Sequence, residues 1–181
     1  MGELFGGERR RLMIVTLYHG STLRVEHPLV ALGRQNLDFG QGFYLTTYRE
    51  QAVQWALRQQ VMRRSEVAWL NEYRLDMDKV NAERFVQKRL EGYDAEWLDF
   101  ISASRHGEKP WLGYDLIEGG VADDKVVDAV EAYLAGLADV EHTLNKLAYA
   151  LPNNQICLLN QRLIDTCLKY VDSYCINESL E

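Results

Sequence analysis

Phe39-Gly40-Gln41-Gly42-Phe43-Tyr44-Leu45-Thr46 is the stretch on which the reading of the fold turns. Two glycines one residue apart lead into an aromatic pair, and residues 42–46 (GFYLT) read as a strand. In a dinucleotide-binding βαβ unit the glycines follow a strand and open a helix. Here they precede a strand, so that fingerprint is absent. Phe43 and Tyr44 must point to opposite faces. One then meets the core and the other a cleft, where the Tyr44 ring offers a flat face to a planar group. The plainer alternative is a bulged hairpin with core aromatics.

Downstream, Thr47-Tyr48-Arg49-Glu50 has the form of a capping box. It predicts a helix running to about Arg64, with Ala52, Val53, Ala56 and Leu57 on its apolar face. Upstream, residues 13–18 (MIVTLY) form a β-branched run that reads as a buried strand. It ends at a polar break, His19-Gly20-Ser21. That break sets an imidazole, a bare backbone and a hydroxyl at one strand terminus, where glycine lets a ligand approach the main chain and His and Ser can bond a sugar hydroxyl. A strand-ending turn with a partly exposed His is the alternative. Residues 1–12 read as a polar leader and 23–37 as loop. Arg34 could bind a diphosphate in two-point fashion, or could form a surface ion pair with Asp38.

Farther along, residues 67–75 alternate weakly, as a strand would. Residues 94–104 suit a helix with Trp97, Leu98 and Ile101 on one side, and 114–117 a short strand. Asp123 can cap a periodic helix bearing Val126, Val127, Val130, Tyr133, Leu134 and Leu137, with Gly136 at its end. That stripe is expected to be core rather than a partner surface. A second helix over 139–148 would bury Val140, Leu144 and Leu147 before Pro152 stops it. Asn153 and Asn154 can cap turns or serve a ligand, as can Gln155, and residues 155–159 (QICLL) read as a strand. A mixed apolar segment follows to Tyr174. Strands and helices mix without regular βαβ alternation, so the class is α+β, and residues 13–181 are read as one domain.

A net charge of -7 makes the chain a poor general binder of nucleic acid. No apolar run approaches the roughly 18 residues of a membrane span, and no secretory signal is seen, so the cytoplasm is the expected location. Cys157, Cys167 and Cys175 are an odd set without metal-site spacing, which points to neither a disulfide framework nor a metal.

The blocks taken in order resemble the ADP-ribosyltransferase fold, a split β-sheet with flanking helices, in its His-Tyr-Glu branch. That branch includes the poly(ADP-ribose) polymerases and diphtheria-type toxins. The closer resemblance is to a bacterial family of uncharacterised small proteins with this fold, filed as a domain of unknown function. It is carried by Leu17-Tyr18-His19-Gly20-Ser21, Gly33-Arg34, residues 37–46, Val121-Ala122-Asp123-Asp124 and Asn153-Asn154-Gln155, and spans residues 14–169. The resemblance implies NAD as substrate. His19 would hold the adenosine-ribose hydroxyl, the Gly20 backbone would pin the nicotinamide carboxamide, and Ser21 would support the same pocket. Tyr44 would stack on the nicotinamide ring, and Arg34, Gly42 and Phe43 would complete the NAD-binding set. Gln155 stands where the branch carries its catalytic Glu. It keeps the hydrogen-bonding shape without the charge, which implies single transfer rather than chain growth, with Asp38 or Asp115 as candidate substitutes for the carboxylate.

The expected function is therefore NAD-dependent mono-ADP-ribosyl transfer, a pentosyl transfer. The setting implied is a toxin–antitoxin or anti-phage system with a small antitoxin-like partner blocking the cleft near Tyr44. The acceptor, protein or nucleic acid, stays open. The alternatives are an inactive NAD-binding or partner-binding module of the same fold and, less well matched by this acidic chain, an RNA 2'-phosphotransferase relative.

Overall fold

A computed structural model describes residues 12–121, 124–147 and 153–176. In chain order its elements are β1 (Ile14–Ser21), β2 (Phe43–Leu45), α1 (Arg49–Arg63), β3 (Ala68–Asp76), α2 (Met77–Ala82), β4 (Gln87–Leu90) and α3 (Ala95–Arg105). They continue with β5 (Leu116–Gly119), α4 (Asp124–Leu134), α5 (Val140–Leu147), β6 (Gln155–Leu158), α6 (Gln161–Cys167) and β7 (Leu168–Ile176). A three-residue 3-10 turn, Val30–Leu32, lies in the loop before β2. The mixture is α+β, as the sequence predicts.

The strands form two sheets. One has the order β1-β3-β7, and the other β2-β6-β5-β4. All pairings are antiparallel except β4 with β5. A buried cluster fills the space between the sheets, with Leu17, Tyr73 and Leu75 from the first sheet and Phe43, Leu45, Ile156 and Leu158 from the second. A second cluster lies on the opposite face of the four-stranded sheet, where Ile117 and Cys157 meet Trp97, Leu98 and Ile101 of α3 and Val130 of α4. Helix α1 covers the outer face of the three-stranded sheet. Apolar side chains are thus removed from water on both faces of the second sheet, the main source of its stability.

Several local expectations change. The polar break at 19–21 is not a break, because β1 continues through Ser21 in register with Trp69 of β3. Thr47 does not cap α1. The helix starts after Tyr48 without a side-chain cap, and the Thr47 hydroxyl bonds Asn154 Oδ1 instead. Arg64 ends α1 in the left-handed region, at φ 52°. The predicted strand at 114–117 sits two residues later, because Asp115 is held by Val86 and Asn160 as a brace before β5. Asp94, by contrast, caps α3 through the Trp97 N–H, and Trp97, Leu98 and Ile101 are buried as the spacing predicts. Leu137 and Val140 are both exposed, so neither joins the core. Both flank a tight turn whose Gly136 has φ +70°. Asp123, Pro152 and the side chains of Val126, Val127 and Leu147 lie outside the described residues, as do residues 1–11 of the expected leader.

Candidate functional site

Among the described residues, the main chains of the two sheets are joined at an isolated bridge. The Tyr18 N–H donates to the Thr46 carbonyl at 2.8 Å and the Thr46 N–H to the Tyr18 carbonyl at 3.0 Å. This isolated antiparallel bridge forms a seam between β1 and the end of β2, with His19 and Tyr44 in contact beside it and Asn154 bonded to Thr46.

His19 follows the bridge. Its Nδ1 lies 2.8 Å from the Tyr44 carbonyl oxygen, and its ring centroid is 4.7 Å from that of Phe43. A carbonyl can only accept, so Nδ1 carries the proton. Burial pushes the His19 pKa below its ordinary value. The bond to Tyr44 opposes that shift, and the charge of Arg63 adds to it. The imidazole is therefore neutral at pH 7, which leaves Nε2 as an acceptor. On the other side of β1, the Asn71 amide is fully buried and fully used. Its Nδ2 donates to the carbonyls of His19 (3.2 Å) and Leu23 (3.1 Å), while its Oδ1 accepts from the Val25 N–H (2.8 Å) and the Ser173 hydroxyl (2.6 Å). It fixes the backbone that presents His19. No local signal marks it, because its partners lie in two distant stretches of the chain, residues 19–25 and Ser173.

Gly20 is required for a reason the sequence did not show. A Cβ there would sit 2.0 Å from the Ala52 carbonyl oxygen and 2.7 Å from the Ala56 nitrogen, both backbone atoms of α1. Its main chain is a separate matter. Tyr18 directs its N–H and C=O across the seam, and the alternation of an antiparallel strand gives Gly20 the same direction two residues on. The Ser21 hydroxyl accepts from the Leu23 N–H at 3.2 Å and closes a local turn.

Tyr44 pairs with Cys157 across the β2–β6 ladder, and one step on Leu45 pairs with Ile156. Tyr44, Cys157 and Gln155 consequently share one face of the four-stranded sheet, opposite to Phe43. Phe43 is a core residue and Tyr44 is half-buried beside the second cluster. The Tyr44 hydroxyl donates to the Gly40 carbonyl at 2.7 Å and accepts from the Phe39 N–H at 3.0 Å. Burial above all, with Cys157 next to it, raises its pKa far out of the physiological range. The phenol thus staples the glycine loop to β2, and its chemistry is that of a neutral ring. Gly42 is a packing glycine, since a Cβ would meet Cys157 Sγ at 2.4 Å.

Gln155 opens β6 opposite Gly119. Its Nε2 lies 3.3 Å from Asp38 Oδ2. Asp38 Oδ1 in turn accepts from Arg105 Nε at 2.9 Å and Nη2 at 2.8 Å. Asp38 is therefore paired with the last residue of α3 and not with Arg34, which is exposed on its loop. Of the two candidate carboxylates, Asp38 lies at Gln155. Asp115 lies before the other end of β5, where Leu116 pairs with Leu158. Arg105 carries no local signal in the sequence, being 67 residues from its partner.

The neighbouring amides split in role. Asn154 Oδ1 accepts from the Thr46 hydroxyl (3.0 Å), the Thr47 N–H (3.1 Å) and the Thr47 hydroxyl (3.1 Å), tying β6 to the seam. Asn153 Oδ1 accepts from the Val121 N–H (2.9 Å) and the Tyr93 hydroxyl (2.8 Å). Both are structural caps. Beside them, at the ends of β4 and β5, lies an open hollow of about 600 Å³ bordered by Arg89, Tyr93, Glu118 and Asn154; His19, Tyr44 and Gln155 are not among its lining residues.

The seam carries the neutral imidazole of His19 on the Phe43 face of β2, and the half-buried Tyr44 ring and the Gln155 amide, held against Asp38, on the opposite face. Arg34 lies apart on the surface. Among the described residues no helix is long and apolar enough to cross a membrane. Neither the curated proteins nor the solved structures contain a match to the chain. Residues 15–170 match the family described as "Protein of unknown function (DUF3990)", and the chain belongs to that family.

Proposed function

We propose that the chain is an NAD-dependent mono-ADP-ribosyltransferase acting as the toxin of a toxin–antitoxin or anti-phage pair. The observation that carries this reading is the 2.8 Å contact from His19 Nδ1 to the Tyr44 carbonyl. It joins the His-Gly-Ser block to the Gly-x-Gly-Phe-Tyr block across the seam, with Gln155 sharing the face of Tyr44. In this reading the neutral His19 accepts a ribose hydroxyl at Nε2. The Gly20 N–H and C=O, directed at the seam, meet the nicotinamide carboxamide, and the Tyr44 ring lies along the nicotinamide.

The chemistry asks for grip rather than for a strong acid or base. When the nicotinamide–ribose bond breaks, its electron pair leaves with nicotinamide and neutralises the pyridinium. The cation at ribose C1' is then taken by an acceptor nucleophile, whose proton passes to solvent. Holding the leaving ring and the ribose in a fixed relation lowers the barrier by orientation. Gln155 can accept a hydrogen bond from a ribose hydroxyl but cannot take its proton near pH 7. The product is accordingly a single ADP-ribose unit.

The test is incubation with NAD labelled in the adenylate, using a total cell lysate as acceptor, with free nicotinamide quantified. Separate protease and nuclease digestion then identifies the acceptor class. Release of nicotinamide is expected from the wild type. His19→Ala should lower it at least about a hundredfold, the scale of losing one preorganised transition-state hydrogen bond. Binding of NAD without nicotinamide release would instead make the chain a non-catalytic NAD-binding module. That second reading is favoured by one observation, the pairing of Asp38 with Arg105, which occupies the carboxylate nearest Gln155.

A further inference from the structure

The carboxylate of Asp38 divides its two oxygens. Oδ1 takes both Nε and Nη2 of Arg105, and Oδ2 faces the Gln155 amide at 3.3 Å. The pair is sheltered, the Asp38 side chain being only 14% exposed and that of Arg105 22%. Asp38 has little freedom to leave. The turn that carries it is closed by the Gly40 N–H on the Leu37 carbonyl at 3.0 Å. The same turn is stapled to β2 by the Tyr44 hydroxyl, and the adjacent Phe39 is fully buried.

A primary amide has two ends of similar shape and opposite function, one donating and one accepting. A carboxylate held by arginine can only accept. Turned the other way, Gln155 would set its carbonyl oxygen against the Asp38 charge.

We propose that Asp38, clamped by Arg105, is the positioning residue of the site: it takes the N–H end of Gln155 and so presents the Oε1 end, an acceptor, to the ligand. This deepens the function proposed above and rests on it for the identity of that ligand as a ribose hydroxyl. A free glutamine offers a hydroxyl either end. Clamped in this way, Gln155 reproduces the acceptor half of a carboxylate's behaviour without its proton affinity. It also accounts for a glutamine here instead of a glutamate, because a carboxylate at 155 would face Asp38 across about the same gap, and two like charges so close do not both ionise readily.

The experiment has two arms. The first is independent of turnover and follows the Gln155 side-chain N–H signals by NMR, assigned by their loss in Gln155→Leu. Asp38→Asn should shift both signals. The milder Arg105→Lys keeps the charge without the two-point grip and should shift them less, in the same direction. Signals unmoved in both variants would overturn the proposal. The second arm measures nicotinamide release. Asp38→Asn should lower kcat about tenfold or more with little change in KM for NAD, the factor a charge-assisted hydrogen bond is worth. The swap Asp38→Asn/Gln155→Glu restores an acceptor at 155 facing a donor at 38, and should recover most of that loss. Failure of the swap to recover kcat, with the fold intact, would reduce Asp38 to a structural ion pair and overturn the proposal. If the wild type releases no nicotinamide, the transferase reading fails on its own, and the amide signals still decide the orientation of Gln155.

Discussion

His19 and Gln155 flank the same seam, and their surroundings differ in kind. His19 bonds a main-chain carbonyl, sits beside Phe43 and is kept neutral by burial. Gln155 lies against an ion pair formed between a loop and the end of a helix. The first is built from groups that carry no charge, on a strand whose fit depends on close contact. The second is built from charges whose fit depends on orientation. Damage to the His19 side should therefore appear as lost stability, and damage to the Gln155 side as misdirected hydrogen bonding.

The largest effect is expected at Gly20. An added Cβ would press on the Ala52 oxygen and the Ala56 nitrogen, backbone atoms that cannot move without shifting α1. Gly20→Ala should lose about 3 kcal/mol or more, the upper range of overpacking, in urea unfolding. Gly92, between β4 and α3, has nothing within 4 Å of an added Cβ. Gly92→Ala should stay within about 0.5 kcal/mol of the wild type. Equal losses at the two positions would mean that the close approach of α1 to β1 does not set the cost at Gly20.

Asn154 joins the two regions, and its loss comes next in size. Asn154→Leu removes an acceptor shared by the Thr46 hydroxyl and by the N–H and hydroxyl of Thr47. Thr46 is buried, so its hydroxyl is left without that partner away from water. A loss of about 2 kcal/mol is expected, measured by thermal and urea unfolding. A variant as stable as the wild type would mean that the Tyr18–Thr46 bridge holds the seam without help from β6.

A smaller effect concerns pH. The unfolded chain takes up a proton at His19 near the ordinary value of 6.5, whereas the folded chain holds its pKa lower. Between the two values the unfolded state binds more protons, so stability rises with pH there. The His19 contribution is fully present above about pH 6.5 and is lost as pH falls toward the folded pKa. Unfolding free energies of wild type and His19→Ala, followed from pH 7.5 downward, should converge as the solution is acidified. Parallel curves would show that the ring is not desolvated as described.

What could be read from the sequence followed the range of the forces involved. Helix α3 was legible because Asp94, Trp97, Leu98 and Ile101 speak to one another within two turns. β1, β2 and β6 were legible as apolar runs, although β1 went on through His19 and Gly20 because pairing with Asn71 and Leu70 outweighed their polarity and flexibility. Strand β4, Gln87–Leu90, was missed because it buries only Leu90 and owes its existence to parallel pairing with β5. Strand β7 was hidden because it carries an extra residue, Val171, skipped where Glu72 pairs with Asp172 and Tyr73 with Tyr170, which interrupts the alternation that a ladder would show. At the site, the blocks around His19 and Tyr44 are legible locally and adjoin through the His19–Tyr44 contact, but the His19 ring lies on the Phe43 face of β2 and Gln155 on the opposite, Tyr44 face. Asp38 was named without its place, and Arg105 was not named, since nothing near either residue encodes a contact across 67 positions.

The smallest effect belongs to Thr47, and it separates two explanations of one motif. Thr47-Tyr48-Arg49-Glu50 has the spacing of a capping box, in which the threonine hydroxyl would serve the N–H groups of α1. In the fold that hydroxyl points to Asn154 at 3.1 Å, and it is the Thr46 hydroxyl, at 3.1 Å, that accepts from the Tyr48 N–H. Thr47 is exposed, so water can replace the lost partner in Thr47→Val. The cost should be about 0.5 kcal/mol, the low end for a hydrogen bond. Under the capping explanation the same variant would lose about 1 kcal/mol regardless of what occupies position 154. A double-mutant cycle distinguishes them. Thr47→Val made in the Asn154→Leu background should cost nothing further, because its partner is already gone, whereas a cap on α1 would cost the same in both backgrounds.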